Sequence, residues 1–115
     1  MIDMVETTIN ETASYYEIII SGEIDASSSI SLDNELEIAF QGEQHNILLN
    51  LEGLNYISSA GLGVFIARLE EISEKSINLI FYGLQENVKQ VFALLGLEEL
   101  LTIYNSKKEA IASLK

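Results

Sequence analysis

Apolar residues follow two alternating rhythms along this chain. From Met4 to Ile9, and again through Tyr15–Ser21 (YYEIIIS), β-branched and aromatic residues dominate short runs, and NETAS between them reads as a turn. Both runs are expected strands. After Gly22-Glu23-Ile24-Asp25 and a serine cluster (Ser27, Ser28, Ser29) the spacing lengthens. Leu32, Leu36, Ala39 and Phe40 recur at helical intervals, and Gly42 stands just past them as a stop. Ile47-Leu48-Leu49-Asn50-Leu51 is almost continuously apolar, as expected of a strand covered on both faces. Glu52-Gly53-Leu54-Asn55 reads as a turn. Leu62, Phe65, Ile66, Leu69 and Ile72 then form the apolar stripe of one helix, with Arg68, Glu70, Glu71 and Glu74 elsewhere on its surface. Ile77–Tyr82 is a further buried strand ended by Gly83. Val88, Val91, Phe92 and Leu95 follow at i, i+3, i+4, i+7, closed by Gly96 at the C′ position that favours glycine. A short run at Leu101–Tyr104 and a final helix from about Ser106 to Leu114 complete the pattern.

Strand and helix alternate over most of the length, which implies an α/β fold: a parallel or mixed sheet with helices packed on it. No repeat, linker or low-complexity tract interrupts the chain, so residues 1–115 read as one domain, a length that suits a single core. No apolar run approaches the ~20 residues of a membrane span, and MIDMVETTIN lacks the basic start and apolar centre of a signal peptide. The chain has no cysteine, which excludes disulfides and thiolate chemistry. A cytoplasmic location is the expectation.

Charge narrows the partners. The net charge is -12, and all six basic residues (Arg68, Lys75, Lys89, Lys107, Lys108, Lys115) lie beyond residue 67. Residues 1–67 hold eleven acids and no Lys or Arg. Phosphate backbones and anionic lipids both require many cationic contacts, so direct nucleic-acid or membrane binding is not expected. The acidic surface serves either solubility or attraction to a basic protein.

The stretch NYISSAGLG (Asn55–Gly63) carries the candidate chemistry. It joins the central strand to the following helix, so Ser58 and Ser59 sit at or just before a helix N-terminus. Glycines at 61 and 63 are expected to keep side chains from crowding the approach. A hydroxyl there is exposed, and the free amides and helix dipole favour an anion beside it. Serine is also a common N-cap, and local physics leaves both readings open. Catalysis finds little support. The single histidine, His45, sits in a polar turn, and SSAGLG lacks the glycine before serine of a nucleophile elbow. No phosphate-binding loop and no metal-ligand spacing occurs, so no cofactor and no metal are expected. Glu35 and Glu37, or Glu70, Glu71 and Glu74, read as solvated helix faces.

The run LNLEGLNYISSAGLGVFIARLEEI, together with SGEIDASSS upstream, resembles the STAS domains of bacterial anti-sigma-factor antagonists. The resemblance spans about Tyr16 to Ile103. It rests on Gly22-Glu23-Ile24-Asp25 after the second strand, on Ser58–Gly63, and on the late helix ending in Phe92, Gly96 and Leu97. It implies a STAS domain with a mixed, mostly parallel sheet of four to five strands covered by about four helices. It also implies regulatory binding rather than an enzyme. Such a domain binds an anti-sigma factor that is also a serine kinase, and so releases the sigma factor. The kinase ends the interaction by phosphorylating a serine at the start of the helix, and a PP2C-type phosphatase restores it. Ungapped alignment of Gly61-Leu62-Gly63 places that acceptor at Ser59, with Ser58 as the alternative. The implied partner surface includes Asp25, Ser28, Ser58, Ser59, Gly61 and Leu62.

Two positions depart from the commonest family pattern. Ser58 stands where many antagonists have Asp, and Ala60 where many have Ser or Thr. Loss of the carboxylate removes a negative neighbour of the acceptor and bears on which kinase reads the site. A non-phosphorylated STAS scaffold or interaction module is the alternative reading.

Overall fold

Two β-branched runs, a continuous apolar segment and a late INLIFY segment assemble into one five-stranded sheet of order β1-β2-β3-β4-β5. The structure is a computed structural model and describes residues 5–114. Strands β1 (Val5–Glu11) and β2 (Tyr16–Ile24) form an antiparallel hairpin. Its turn is closed by the Thr12 hydroxyl, which accepts from the amides of Ser14 and Tyr15 at 3.1 Å each. Met4, expected in the first strand, lies outside the described residues. Strands β3 (Asn46–Ile57), β4 (Asn78–Tyr82) and β5 (Thr102–Tyr104) run parallel to β2, so the sheet is mixed and mostly parallel.

Among the described residues six helical segments accompany the strands, where about four were expected: α1 (Ser29–Gln41), α2 (Ser59–Ala67), α3 (Leu69–Glu74), α4 (Glu86–Leu94), α5 (Leu97–Leu100) and α6 (Lys107–Ala112). Two local causes account for the excess. The expected helix after Ser59 breaks at Arg68, whose backbone leaves helical geometry at φ -100°, ψ 1°. Gly96, at φ +72°, ends α4 as its sequence position implied, and the chain then restarts as the short α5. No helix among the described residues is long and apolar enough to cross a membrane.

The main core lies on one sheet face. Ile18, Ile20 and Ile24 of β2 and Leu49, Leu51 and Leu54 of β3 meet Leu32 and Leu36 of α1, Leu62 and Phe65 of α2, and Val88 and Phe92 of α4. Phe65, Phe81 and Phe92 make its aromatic centre, with Phe65 edge-on to Phe81 at 4.9 Å between ring centroids. The other face carries Leu48, Ile80 and Tyr82 under Ala110 of α6. Coverage on both faces explains the unbroken apolar run at Ile47–Leu49. Two residues assigned to apolar stripes are instead exposed, Ile66 at 46% and Leu95 at 52%. A stripe through residues 62 to 72 needs one unbroken helix. α2 packs through Leu62 and Phe65, and Ile66, about 40° from Leu62 on the side away from Phe65, falls at the edge of that face.

Two polar clusters tie the layers together. Arg68, placed from sequence on the helix surface away from the apolar stripe, is mostly buried between α1 and the α2–α3 break. Its Nε donates to Asp33 at 2.8 Å, and its Nη1 to Glu37 and to Glu71 at 2.9 Å each. Its guanidinium also lies 5.5 Å from the centroid of the Phe40 ring. On the other sheet face, Glu17 is fully buried. A lone carboxylate there would be costly, but Glu17 accepts from Asn10 Nδ2 at 3.1 Å, from Lys107 Nζ at 2.9 Å and from the Tyr82 hydroxyl. Burial pushes the Glu17 carboxyl up, and these three donors outweigh it, holding the group below its ordinary pKa. The cluster joins β1, β2 and β4 to the start of α6.

Removing the Arg68 side chain leaves Asp33, Glu37 and Glu71 facing one another without their cation. Arg68→Ala is expected to lose about 2 kcal/mol of stability, the scale of charge-assisted hydrogen bonds. Arg68→Lys should recover only part, because one ammonium cannot reproduce the guanidinium fork. Urea denaturation measures both, and an Arg68→Ala protein as stable as wild type would remove Arg68 from the set of layer contacts.

Candidate functional site

The candidate site stands at the end of β2 and β3, which run on together past the residues that β3 pairs with β4, with β1 alongside β2 as far as Gly22. β4 pairs with β3 over Asn46–Asn50 alone, while β3 runs on to Ile57. Glu52–Asn55, expected as a turn, is therefore strand. The reason lies in two irregularities of register, between Ile19 and Ser21 and between Gly22 and Glu23. At each, β3 advances one residue further than β2, so Leu51, Leu54 and Ile57 face the core at intervals of three instead of two. Gly53 permits the first crossing, since a Cβ there would lie 2.5 Å from Ser21 Oγ. Gly22, at φ +100°, permits the second.

Just past the end of β3 the serine pair divides its roles. Ser58 is the N-cap of α2, in extended conformation, and its Oγ accepts from the Gly61 amide at 3.2 Å. Its own N–H donates to the Ile24 carbonyl at 2.8 Å, tying the turn to the end of β2. Ser59 is the first helical residue; it is exposed and its hydroxyl lies outside the cap bond. Gly61 is buried where a Cβ would meet Ile24 Cγ2 and Ile57 Cγ1, each at 2.8 Å, so the start of α2 lies directly on the strand ends. Gly63 has open space around its Cβ position, so the need for glycine is at Gly61, and it comes from packing on the strand ends and not from the approach to the serines that was expected.

The Asp25 loop is the neighbour of this turn, because Asp25 follows the Ile24 carbonyl that holds Ser58. Its Oδ1 accepts from the Ser27 amide at 3.0 Å, the Ser28 amide at 2.8 Å, and the Ser27 and Ser28 hydroxyls at 2.8 and 2.9 Å. The Ser28 amide first, then the two hydroxyls, lower the Asp25 carboxyl to a pKa of about 2. The Ser28 hydroxyl in turn accepts from the Asp25 amide at 2.8 Å. The loop is thus a closed ring of bonds carrying a fixed negative charge.

The predicted site residues fall into two groups. Asp25, Ser58 and Ser59 reach the surface, whereas Ser28, Gly61 and Leu62 are buried and shape it from below. Two apolar side chains missed by the sequence reading are exposed on the flanking segments: Tyr56, two residues before Ser58, at 47%, and Ile30 in the first turn of α1, after the Asp25 loop, at 65%. Ile30 carried a signal, since two residues before Leu32 is about 200° around the helix from the buried stripe. His45 precedes the twelve-residue β3 that Ser58 follows, so the single imidazole stands at the far end of that strand. The acids near α2 are engaged too, Glu37 and Glu71 by Arg68. What the arrangement offers is an exposed hydroxyl at a helix start, beside a fixed carboxylate.

Comparisons with known proteins agree with this architecture. A family model described as STAS domain matches residues 5–110. An anti-sigma-B factor antagonist of Staphylococcus epidermidis is 29% identical over 89 residues, covering 77% of this chain and 82% of the relative. In fold, the chain is similar to an anti-sigma factor antagonist from Mycobacterium paratuberculosis, with a TM-score of 0.86, 16% identity and coverage of 96% of this chain and 93% of that one. It is also similar to the Bacillus cell fate determinant SpoIIAA in the phosphorylated form, with a TM-score of 0.70, 23% identity and coverage of 93% and 97%.

The division between the serines is open to measurement. Ser58→Ala removes the cap and should cost about 1 kcal/mol. Ser59→Ala removes an exposed hydroxyl and should stay within about 0.5 kcal/mol of wild type. Denaturant unfolding of both variants decides it; a larger loss for Ser59→Ala would reverse the assignment.

Proposed function

Because the chain belongs to the STAS-domain family, we propose that it is an anti-sigma factor antagonist, switched by phosphorylation of Ser59. The observation that carries this reading is the exposed Ser59 hydroxyl on the first turn of α2, left outside the cap that Ser58 supplies. The curated relatives named as anti-sigma-B factor antagonists support the same role. In this reading the protein acts in the cytoplasm by binding and not by catalysis. Unmodified, it binds a serine-kinase anti-sigma factor through Asp25, Ser58 and Ser59, with Tyr56, Ile30 and Ala60 as apolar contacts. Ser28, Gly61 and Leu62 hold that surface in shape. Binding frees the sigma factor.

The kinase then transfers the γ-phosphoryl group of ATP to Ser59 Oγ. The P–O bond to ADP breaks, and the hydroxyl proton passes to the kinase's base. A PP2C-type phosphatase hydrolyses the monoester to the free hydroxyl and inorganic phosphate. Ser58 is the poorer acceptor, since its oxygen already holds the Gly61 amide.

Charge explains why the phosphate acts on the interface more than on the fold. The added group carries roughly -1.5 to -2 charge. Free amides at the start of α2 tolerate an anion there. Residues 1–67 offer no Lys or Arg to neutralise it, and Arg68 is committed to Asp33, Glu37 and Glu71. An anion on the contact surface must therefore be desolvated against the partner or repel it.

Ser59→Asp is accordingly expected to fold with near-native stability and to bind a purified serine-kinase anti-sigma factor at least ~10-fold more weakly than wild type, a change of ~1.4 kcal/mol. Ser59→Ala should bind like wild type and resist inactivation by ATP. Titration calorimetry reads the affinities; equal binding by wild type and Ser59→Asp would refute the switch.

A further inference from the structure

The part of β3 that leads to Ser59 has strand pairing on one side, to β2, and its other side is held from an unexpected place. Beyond Asn50, β3 has no β4 partner. The residues that β3 inserts at its two register shifts fall at 51–52 and at Asn55, where the ladder to β2 is interrupted. The carbonyls of Glu52 and Asn55 are taken instead by the first turn of α4. Gln85 Nε2 donates to Glu52 O at 2.9 Å, and Asn87 Nδ2 donates to Asn55 O at 2.7 Å. Gln85 is the N-cap residue of α4, yet its side chain makes no cap bond because it reaches across to β3. The approach is close: a Cβ on Gly83, just before α4, would stand 2.4 Å from Glu52 Cγ.

We infer that Gln85 and Asn87 are positioning residues for the Ser59 turn: their side-chain amides hold the two bulge carbonyls of β3 and so set how Ser58 and Ser59 are presented. Asn55 is three residues before Ser58, and the intervening Tyr56 and Ile57 pair with Glu23 and Ile24. A shift at Asn55 therefore reaches the Ser58 N–H to Ile24 carbonyl bond and, through the cap, the first turn of α2. The consequence for phosphorylation rests on the reading of Ser59 given above, but the mechanical coupling does not. Folding stability and positioning can be separated at Asn87, the second residue of α4. Asn87→Asp removes the N–H donor, while a carboxylate in the first helical turn favours the helix itself.

The test is amide hydrogen exchange followed by NMR on wild type, Asn87→Asp, the Gln85→Ala/Asn87→Ala double variant, and Lys89→Ala as a control on the same helix. In the first two variants the amides of Ser58 and Gly61 should exchange up to about tenfold faster, the fold-change that one ordinary hydrogen bond supports. The amides of Leu49 and Phe81 in the centre of the sheet should hold their rates, as should the amides of Ser58 and Gly61 in Lys89→Ala. Unchanged exchange at Ser58 and Gly61, or a uniform increase that includes Leu49 and Phe81, overturns the inference. With a kinase that modifies wild-type Ser59, Asn87→Asp should raise KM while kcat holds, and an unchanged KM overturns it as well. A wild-type chain left unmodified by the kinase would sink the phosphorylation reading, while the exchange rates still decide the positioning.

Discussion

Beyond Asn50 the strand β3 has β2 as its only strand partner among the described residues, and the geometry of that pair decides where Ser59 stands. Parallel strands that ended level with β4 would place the start of α2 over the sheet. The two bulges and the glycines at 22 and 53 let β2 and β3 continue together past the end of β4. The pair then ends in a single backbone bond, from Ser58 N–H to the Ile24 carbonyl. That bond brings the Asp25 loop and the Ser58–Ser59 turn to one place. Gly61 then lets α2 start in contact with Ile24 and Ile57, which leaves Ser59 exposed.

Charge is distributed so that the chain up to and through the Ser59 turn carries no cation of its own, with no Lys or Arg in residues 1–67. Arg68 is absorbed by three carboxylates between the helices, and Lys107 by Glu17 on the opposite face of the sheet. Both pairs serve the packing of layers. The Asp25 carboxylate meanwhile stays charged because amides and hydroxyls of its own loop hold it, with no Lys or Arg involved. The Asp25 loop is negative before any modification, and residues 1–67 supply no cation to offset an added phosphate. Regulation by charge at Ser59 is consistent with that distribution.

Much of this could be read from residue pattern alone. The apolar segment at Ile47–Leu51, the helical spacing of Leu32, Leu36 and Phe40, and the glycine at 96 each follow a local rule of burial or backbone conformation. Other features depend on contacts distant in sequence. The second half of β3 looked like a turn because bulges break the period of two on which strand recognition depends. Arg68 could be placed only off the apolar stripe, because its partners Asp33 and Glu37 lie more than thirty residues away. Gln85 and Asn87 carry no local signal, since an exposed amide side chain reads the same whether or not it reaches a carbonyl. The serine pair was ambiguous for a different reason: both hydroxyls can cap a helix, and only the backbone of Ser58, extended at ψ 169°, assigns the cap to it.

The account turns on one hydroxyl, and site-resolved mass spectrometry addresses it without any variant. The wild-type protein would be incubated with a purified serine-kinase anti-sigma factor and ATP, and its phosphopeptides mapped. A single phosphate at Ser59, with Ser58 unmodified, is the predicted result. Phosphate confined to Ser27–Ser29, or none at all from a kinase active on another substrate, would contradict it.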